Sequence, residues 1–383
     1  MYTHQKKEKI IMKNSVQAII LAAGKSTRFN TEKTKLAEPL CGQPMILFAT
    51  KLLQKLAVDT TVVVGYEKEI IKNIIATTHE DSIQFVVQKE QLGTGHALAC
   101  SEELWVKENI LVINGDMPLV TEQTIIDLYT KHQESNAIIS FVTACTPDLS
   151  ASKAYGRVVV QENKIAIVEA KDFIGDVAQC CCINAGIYLI KKEFLINFIK
   201  TLKNNNANNE FYITDLIKIA SEHNKQITKV GAPFDTIRGI NTIEELIIAE
   251  QIKQKELIQY WMNNGVRFAP HYTMNLDLNV TIGQGSYISD GVHLLGNTTI
   301  GNNVYIHPFS IINNCTIESA TEIGPFAHIT NNSSSFAHSL INNNGKTMPN
   351  TFLKKNTTPH EPTSHFSFVA ARLVHHDIPS DEQ

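Results

Sequence analysis

The stretch Leu21–Phe29 reads LAAGKSTRF and follows directly on the apolar run VQAII at Val16–Ile20. A short apolar run rich in β-branched residues is typical of a buried parallel strand. The small residues that follow let the backbone approach a bulky ligand, and free amides beside Lys25 and Arg28 favour an anion, expected to be a phosphate. The stretch matches neither GxxxxGK[ST] nor GxGxxG, so an ordinary turn with solvated basic residues stays open as an alternative.

Length, charge and cysteine usage limit the class of protein. The 383 residues are enough for two domains, at least one with a sizeable core. The formal net charge of -4 gives no general attraction to nucleic acid or to an anionic membrane, and no apolar stretch approaches the roughly 20 residues of a membrane span. The seven cysteines include the run Cys180–Cys182 but no CxxC pair, so a reduced, cytoplasmic protein is expected and a metal site at the triple cysteine is not.

Between Val16 and about Asn241, short apolar runs alternate with helix-like segments, which predicts a mostly parallel, Rossmann-like α/β sheet. The predicted strands are Ala18–Leu21, Thr61–Val64, Ile83–Val87, Ile110–Ile113, Ala137–Thr143, Gly156–Val160 and Gly186–Ile190. The predicted helices are Met45–Leu56, Gly95–Ser101, Glu122–Lys131 and Lys192–Leu202. Thr242 is expected to cap a further helix, a connecting arm that runs to about Asn263.

The periodicity changes after Pro270, where an apolar residue recurs at every sixth position. The series is Ile282, Ile288, Leu294, Ile300, Ile306 and Ile312, and it continues after a one-residue slip at Ile317, Ile323 and Ile329. A helix cannot align residues at that period, whereas a triangular β-helix places one of them on each face. The strict spacing makes a string of ordinary amphipathic strands the weaker interpretation. A short β-helix of about three coils is predicted, and its exposed edges favour a trimer.

Two further motifs follow predicted strands in the first half. The stretch QKEQLGTGHA at Gln88–Ala97 has glycines that permit close approach to a flat ring, and Gln88 offers amide donors and acceptors. The sequence NGD at Asn114–Asp116 ends another strand, where a carboxylate can hold a magnesium ion between phosphates. Lys35 lies one loop beyond the opening stretch. Each motif alone is weak, but together, at successive strand ends, they indicate a nucleotide site.

In order along the chain, the motifs LAAGKSTRF, QLGTGHA, GDMPL, YGRV, IVEAKD, NAGIY, EFYITD and GIN resemble the uridyltransferase domain of the bifunctional N-acetylglucosamine-1-phosphate uridyltransferase and glucosamine-1-phosphate acetyltransferase family. The resemblance spans about Val16 to Ile329. It implies a GT-A-like nucleotidyltransferase sheet followed by a left-handed parallel β-helix. The implied reaction is magnesium-dependent and converts UTP and N-acetylglucosamine-1-phosphate into pyrophosphate and UDP-N-acetylglucosamine, a peptidoglycan precursor for the cell envelope.

The resemblance also implies roles for individual positions. Nucleotide contacts fall on Leu21, Ala22, Ala23, Gly24, Lys35, Gln88, Gly93 and Thr94. The catalytic cations that hold the triphosphate are Arg28 and Lys35, and the magnesium ligands are Asp116 and Asn241. Sugar-phosphate contacts fall on Gly156, Glu169, Asn184, Tyr212 and Thr214. Because the reaction joins two polyanions, positioning and charge neutralisation suffice, and no acid or base is required.

Structural roles remain open for three of these residues. Glu169 is alternatively a solvated strand-end carboxylate, Asn184 a turn residue and Tyr212 a core aromatic. The sequence also departs from the family pattern at Ser26, where the family has glycine, and at Thr34, where it has proline. Asn114 replaces an aromatic or hydroxyl residue before Gly-Asp. These departures bear on rate and sugar preference, and they spare every charged group that the reaction needs.

The predicted segments are a flexible tail (1–14), the nucleotidyltransferase domain (15–241), a helical linker arm (242–270), a short hexapeptide-repeat β-helix (271–345) and an irregular tail (346–383). No segment like KAGHLTYLGD, which carries the family's histidine base, follows Ile329, so acetyltransferase activity is expected to be absent. Two alternatives stay open. One is a nucleotidyltransferase for thymine in place of uracil or for another sugar-1-phosphate, and the other is a non-catalytic, nucleotide-sugar-binding trimeric paralogue.

Overall fold

The computed structural model describes residues 12–25, 27–29, 33–79, 82–146, 148, 152–162, 164–175, 182–271, 273–330, 340–341 and 347–348. Ser26, Cys180, Cys181 and the segments 1–11 and 349–383 lie outside the described residues, so the predictions for them stay predictions. Met12, which the sequence places in a flexible tail, is instead buried in the core, with 1% of its surface exposed.

A mostly parallel sheet forms the centre of the first half. Its strands and a small hairpin are β1 (Val16–Ala22), β2 (Pro39–Leu40), β3 (Gln43–Pro44), β4 (Asp59–Val64), β5 (Gln84–Val87), β6 (Asn109–Asn114), β7 (Ile139–Cys145), β8 (Arg157–Gln161), β9 (Lys164–Val168), β10 (Cys182–Lys191) and β11 (Ile227–Gly231). Within the described part of the chain, the main path is β11-β7-β10-β6-β1-β4-β5. Strand β10 runs antiparallel to β6 and β7, and the β8–β9 hairpin extends from it.

Helices cover both faces of this sheet. They are α1 (Ile46–Lys55), α2 (Lys68–His79), α3 (Thr94–Ala99), α4 (Glu122–Glu134), α5 (Lys192–Phe198), α6 (Asp215–Glu222) and α7 (Ile243–Asn263). Every strand and helix predicted from the sequence is present, with ends that differ by a few residues. The sequence interpretation missed α2, α6, β9 and β11, although both helices are amphipathic and bury Ile71 and Ile75 in α2 and Leu216 and Ile217 in α6.

Two apolar cores lie on opposite faces of the sheet, and β1 contributes to both. Ile20 belongs to one core, whereas Ile19 and Ala23 belong to the other. This explains the unbroken apolar run before the LAAGKSTRF stretch, because a central parallel strand is buried on both faces. The run therefore ends at an edge of the sheet where small residues replace the core side chains.

The second half is a three-sided parallel β-helix, which confirms the prediction from the hexad spacing. Its strands are Arg267–Phe268, Asn275–Leu276, Thr281–Ile282, Tyr287–Ile288, His293–Leu295, Thr299–Ile300, Tyr305–Ile306, Ile311–Asn313, Thr316–Ile317, Glu322–Ile323, His328–Thr330, Leu340–Ile341 and Thr347–Met348. One face stacks Ile282, Ile300 and Ile317 in register. A Cβ atom on Gly283 would lie 2.4 Å from the carbonyl carbon of Gly301, so glycine is needed where these coils touch.

Strand pairing extends beyond the predicted β-helix at both ends. Arg267–Phe268, which the sequence assigned to the arm, pairs with Tyr287–Ile288. Leu340–Ile341 pairs in parallel with Glu322–Ile323. It also pairs antiparallel with Thr347–Met348, which lies in the predicted irregular tail. Backbone hydrogen bonds make these pairs and do not depend on the hexad spacing, which is why the sequence missed them.

Helix α7 joins the two halves. Its first turn has a capping box, in which Thr242 Oγ1 accepts a bond from the Glu245 amide at 3.2 Å and the Glu245 carboxylate accepts one from the Thr242 amide at 3.0 Å. The Gln254 side chain donates from Nε2 to the Leu276 carbonyl and accepts at Oε1 from the Leu276 amide, in the first coil of the β-helix. Among the described residues, no helix combines the length and apolar character required to cross a membrane.

Candidate functional site

A cavity of about 450 Å³ lies at the carboxyl ends of the parallel strands. Strands β1 and β6 end side by side, with Leu21 opposite Asn114, so the two loops that follow them share one edge of the sheet. The predicted site residues in the cavity wall are Leu21, Ala22, Ala23, Gly24, Lys35, Gln88, Gly93, Thr94 and Asp116. The structure therefore brings every predicted nucleotide contact to one place.

Two cationic side chains and two side-chain oxygens converge beside this cavity. The Lys35 ammonium lies 2.5 Å from Oδ2 of Asp116 and 2.9 Å from Oδ1 of Asn241. Arg28 donates to the same Asn241 oxygen at 3.0 Å. Arg28 and Lys35 lie between β1 and β2, Asp116 follows β6 and Asn241 precedes α7, so the cluster exists only in the folded chain. It supplies positive charge and oxygen donors at one point, as a polyphosphate site requires.

Hydrogen bonds of the backbone hold Asp116 and Asn241 in place. The Ile240 amide donates to the carbonyl of Asp116 at 2.9 Å, which ties the two loops together. The Asn241 amide donates to the Glu245 carboxylate at 2.6 Å, so the capping box of α7 also fixes Asn241. Sequence reasoning missed this role of Glu245, although the spacing from Thr242 is the pattern of a capping box.

The residues at this point fit a divalent cation. The carboxylate of Asp116 and the amide oxygen of Asn241 already share one cationic partner, the Lys35 ammonium, so their oxygens face a common position. No group of three or more His, Cys, Asp or Glu side chains arranged to hold a metal occurs among the described residues. A pair of hard oxygen donors suits a cation that takes its other ligands from phosphate and water, as Mg²⁺ does.

The loop after β5 is shaped by a motif from far along the chain. The Gly95 amide donates to the carbonyl of Phe211 at 2.7 Å, and the Ile213 amide donates to Thr94 Oγ1 at 3.1 Å. Gly93 has a φ of 105°, and a Cβ there would lie 2.7 Å from the Phe211 carbonyl oxygen, so only glycine fits. The QLGTGHA and EFYITD motifs thus form one structural unit.

Gln88 is buried, with 3% of its surface exposed, and lines the cavity. Its Nε2 donates to the carbonyl of Gly93 at 3.2 Å and to Nδ1 of His96 at 2.9 Å. His96 therefore accepts at Nδ1 and carries its proton on Nε2. Sequence reasoning did not assign this orienting role to His96, and its signal was the position of the histidine inside the QLGTGHA motif.

The predicted sugar-phosphate residues form a second cluster that does not line the cavity. Thr214 donates to Glu169 Oε1 at 2.9 Å, and a Cβ on Gly156 would lie 3.3 Å from Glu169 Oε2. Burial raises the pKa of the Glu169 carboxyl, and the bond from Thr214 partly opposes this. Glu169 is therefore not the solvated strand-end carboxylate that the sequence left open. The Asn184 amide donates to the Gly156 carbonyl at 2.9 Å and joins β10 to this cluster.

Two members of this cluster have structural partners. The Asn184 side chain donates to the Tyr188 hydroxyl at 2.6 Å and accepts from the Gly186 amide at 3.2 Å, which stabilises the irregular stretch of β10 between Asn184 and Tyr188. Tyr212 is buried, and its hydroxyl accepts from Asn208 at 2.8 Å. Tyr212 is therefore a core aromatic, whereas Asn184 lies inside strand β10 and is not the turn residue that the sequence left open. The contacts of both residues with a sugar stay predictions.

Two of the departures from the family pattern have visible consequences. The Thr34 amide, which a proline would lack, donates to the Glu67 carboxylate, and its hydroxyl accepts from the Leu36 amide at 3.4 Å. These bonds hold the short helix that begins with Lys35. Asn114 lines the cavity, and a Cβ on Gly186 would lie 2.8 Å from its Nδ2, so this side chain reaches from the cavity toward β10.

Comparisons with known proteins found relatives for both halves of the chain. A family model described as the MobA-like NTP transferase domain matches residues 18–155, and one described as the bacterial transferase hexapeptide, with six repeats, matches residues 279–314. The chain is 35% identical over 318 residues to the bifunctional protein GlmU of a Nitratiruptor species, a match that covers 82% of this chain and 71% of the relative. It is 33% identical over 365 residues to that of Exiguobacterium sibiricum, with 90% and 80% covered.

Another relative named bifunctional protein GlmU, from Desulfotalea psychrophila, is 31% identical over 323 residues, which covers 83% of this chain and 94% of the relative. Among solved structures, a Bacillus anthracis protein described as a glucose-1-phosphate thymidylyltransferase superposes with a TM-score of 0.50 at 21% identity. That match covers 62% of this chain and 95% of the other, and it shows a shared fold over that share of the chain.

Proposed function

Because this chain belongs to the family of the bifunctional protein GlmU, we propose that it is the nucleotidyltransferase that makes UDP-N-acetylglucosamine and pyrophosphate from UTP and N-acetylglucosamine-1-phosphate. The single observation that carries the proposal is the cluster in which Lys35 and Arg28 meet the oxygens of Asp116 and Asn241 at the edge of the strand-end cavity. We place the reaction in the cytoplasm, where UTP is made.

In this reaction an oxygen of the sugar phosphate forms a bond to the α-phosphorus of UTP, and the bond from that phosphorus to the pyrophosphate oxygen breaks. The nucleophile is already ionised, so no residue has to remove a proton. The difficulty is the approach of two polyanions, which fixed positive charge relieves most strongly as charge moves to the leaving group. Lys35 neutralises the α-phosphate, and Arg28 stabilises the departing pyrophosphate.

Asp116 and Asn241 are the residues that would hold a magnesium ion. When bound, such an ion neutralises phosphate charge and orients the phosphate oxygens. The residues of the chain prepare that position, because Glu245 fixes Asn241 and the Ile240 amide fixes the loop of Asp116. Lys35 lies between the two oxygens, and its long flexible side chain allows the ammonium to move from them toward the α-phosphate.

The uracil is assigned to the pocket wall formed by Gln88, Gly93 and Thr94. Gly93 leaves room for a flat ring beside the backbone, and the Gln88 amide is held in one orientation by His96. The N-acetylglucosamine phosphate is assigned to the neighbouring cluster of Glu169, Thr214 and their partners, whose half-buried carboxylate can accept hydrogen bonds from sugar hydroxyl groups.

The β-helix is assigned a role in assembly, and we expect a homotrimer without acetyltransferase activity. The matched hexapeptide repeats are stacked coils, and the exposed Phe309 and Phe326 side chains stack on one another at 5.5 Å, which leaves an apolar surface to cover. Light scattering at micromolar concentration tests the trimer, and a monomer would contradict it. Thiol release from acetyl-coenzyme A with glucosamine-1-phosphate, above a no-enzyme control, would contradict the second expectation.

The direct test of the proposed reaction is pyrophosphate release by the full chain with UTP and N-acetylglucosamine-1-phosphate in the presence of Mg²⁺. We expect release that stops when either substrate is omitted or when a chelator is in excess. Binding of UTP without turnover under every condition would support the non-catalytic paralogue in place of an enzyme.

A further inference from the structure

Two cysteines that are far apart in the sequence lie opposite each other on neighbouring strands of the sheet. Cys145 ends β7 and Cys182 begins β10, and the antiparallel register pairs them directly. Cys145 is exposed and Cys182 is half-buried, and both are thiols in this structure. The pair lies at the end of the ladder, where a small reagent reaches it from solvent.

The geometry of this ladder suits a covalent link. Directly opposed residues in an antiparallel pair have Cα atoms about 4.5 or 5.5 Å apart, depending on the hydrogen-bonding class of the pair. A disulfide requires Cα atoms roughly 4.4 to 6.8 Å apart, so both classes lie inside its range. Opposed side chains also project from the same face of the sheet. Opposed Cβ atoms are typically about 4.5 to 5.5 Å apart and a disulfide holds them at roughly 3.5 to 4.5 Å, so the link closes with a small inward movement of the two strand ends.

From this placement we propose that Cys145 and Cys182 are a redox modification site, which closes to a disulfide when the protein meets a two-electron oxidant such as hydrogen peroxide. The Cys145 thiolate attacks one peroxide oxygen, which gives a sulfenic acid and releases hydroxide that leaves as water. The Cys182 thiolate then attacks that sulfur and expels its hydroxyl group as a second water. The two thiols lose two protons and two electrons, and a thiol reductant reverses the step.

Other described thiols provide an internal contrast. Cys41 is buried, and burial raises the pKa of its thiol to about 12, so it carries almost no thiolate at neutral pH. Burial also raises the pKa of Cys100. Oxidant should therefore act on the exposed pair before it acts on these two.

The link would lie beside the proposed sugar-phosphate cluster. Asn184 is opposite Thr143, two residues inward from the cysteine pair on the same ladder, so these two pairs share one face of the sheet. A disulfide would restrain the start of β10, the strand that carries Asn184. On the proposed function, oxidation is expected to raise the KM for N-acetylglucosamine-1-phosphate severalfold, and reduction should restore it.

The test treats the full chain with one equivalent of hydrogen peroxide, alkylates the remaining thiols and identifies linked peptides by mass spectrometry without reduction. We expect one intramolecular link between Cys145 and Cys182, absent in C145S and in C182S and retained in C100S. A link from either residue to Cys180 or Cys181, an intermolecular link, or sulfinic acid at Cys145 with Cys182 still alkylated would overturn the site. This readout does not depend on activity, so it stands apart from any failure of the proposed function.

The kinetic arm compares oxidised and reduced wild type with C145S treated in the same way. A rise in KM that appears in oxidised wild type and not in treated C145S supports the restraint on β10. An unchanged KM in fully linked protein would overturn the coupling to Asn184.

Discussion

The ammonium of Lys35 lies 2.5 Å from Oδ2 of Asp116, in a position where it also reaches Oδ1 of Asn241 at 2.9 Å. The side chains of this ion pair are 12% and 18% exposed, so solvent screens it only in part. A lysine in that position competes with any dication for the same two oxygens. The arrangement couples cation binding to release of the ammonium toward the phosphates.

The first prediction concerns metal binding without nucleotide. Lys35→Met should raise the affinity of the free protein for Mn²⁺, because the competing ammonium is gone while both oxygens remain. Calorimetric titration or the paramagnetic signal of free Mn²⁺ measures this. Lys107→Met removes a lysine paired with Asp59, away from the cavity, and should leave Mn²⁺ affinity at the wild-type value. Weaker binding in Lys35→Met than in wild type would contradict the competition.

The second prediction concerns turnover in the same variants. Lys35→Met should lower kcat by roughly 100- to 1,000-fold, because one preorganised charge at the reacting phosphate is worth about 3 kcal/mol. Asp116→Asn should lower it as strongly, since it removes the one negative charge of the oxygen pair. Pyrophosphate release at saturating substrate measures both, with Lys107→Met as control. If Lys35→Met merely raised the KM for UTP and kept kcat, its catalytic assignment would be wrong.

The third prediction compares the effects of replacing two adjacent glutamates at the start of α7. Glu245→Ala should lower the free energy of unfolding by about 1 kcal/mol, because it removes one half of the capping box. It should also raise the Mg²⁺ concentration needed for half-maximal rate, because the Asn241 amide loses its acceptor. Glu244→Ala removes an exposed carboxylate in the same turn and is the matched control. Equal Mg²⁺ requirements in the two variants would show that Glu245 does not position Asn241.

The fourth prediction is a loss of stability in acid that depends on His132. Burial lowers the pKa of His132 from 6.5 to about 4, and its ring nitrogens lie 2.8 Å from Ser140 Oγ and 3.2 Å from Asn109 Oδ1. Between pH 6.5 and 4, the unfolded chain protonates His132 whereas the folded chain keeps it neutral. The contribution of His132 to the free energy of unfolding is therefore complete above pH 6.5 and is lost as the pH falls toward 4. Over this pH range the free energy of unfolding falls by about 3 kcal/mol through His132.

Urea unfolding of wild type and His132→Gln at several pH values between 7 and 4 measures this contribution. Stability of the variant should fall less steeply with acid than that of wild type, although the variant starts from a lower value because the buried bonds change. If the free energy of unfolding depended on pH equally in the two proteins, burial would not lower the pKa of His132.

The sequence predicted those features that depend on local pattern. The hexad from Ile282 to Ile329 predicts the stacked faces of the β-helix, because each of its residues takes the same position in successive coils. The position of Asp116 at the end of a strand predicts that it lies near the loop of Lys35, since neighbouring parallel strands end at the same edge. Asn241 was assigned by family resemblance alone, because no local pattern indicates an amide ligand.

Contacts between distant segments were beyond the sequence. Nothing in QLGTGHA indicates that Thr94 accepts from the Ile213 amide, or that Gly93 faces Phe211, because both depend on how β5 and α6 are placed. The pairing of Cys145 with Cys182 likewise depends on the register of β10, which shifts between Asn184 and Tyr188. Such features require the positions of whole elements, and a single sequence specifies those only through the complete fold.

The most direct test of the central claim is a competition measured by mass spectrometry of the products. The full chain with Mg²⁺ receives the four ribonucleoside triphosphates and dTTP together with equal concentrations of N-acetylglucosamine-1-phosphate, glucosamine-1-phosphate and glucose-1-phosphate. We expect UDP-N-acetylglucosamine to be the dominant nucleotide sugar and Asp116→Asn not to form it. A different dominant nucleotide sugar, or undiminished product in Asp116→Asn, would show that the proposed reaction or its metal site is wrong.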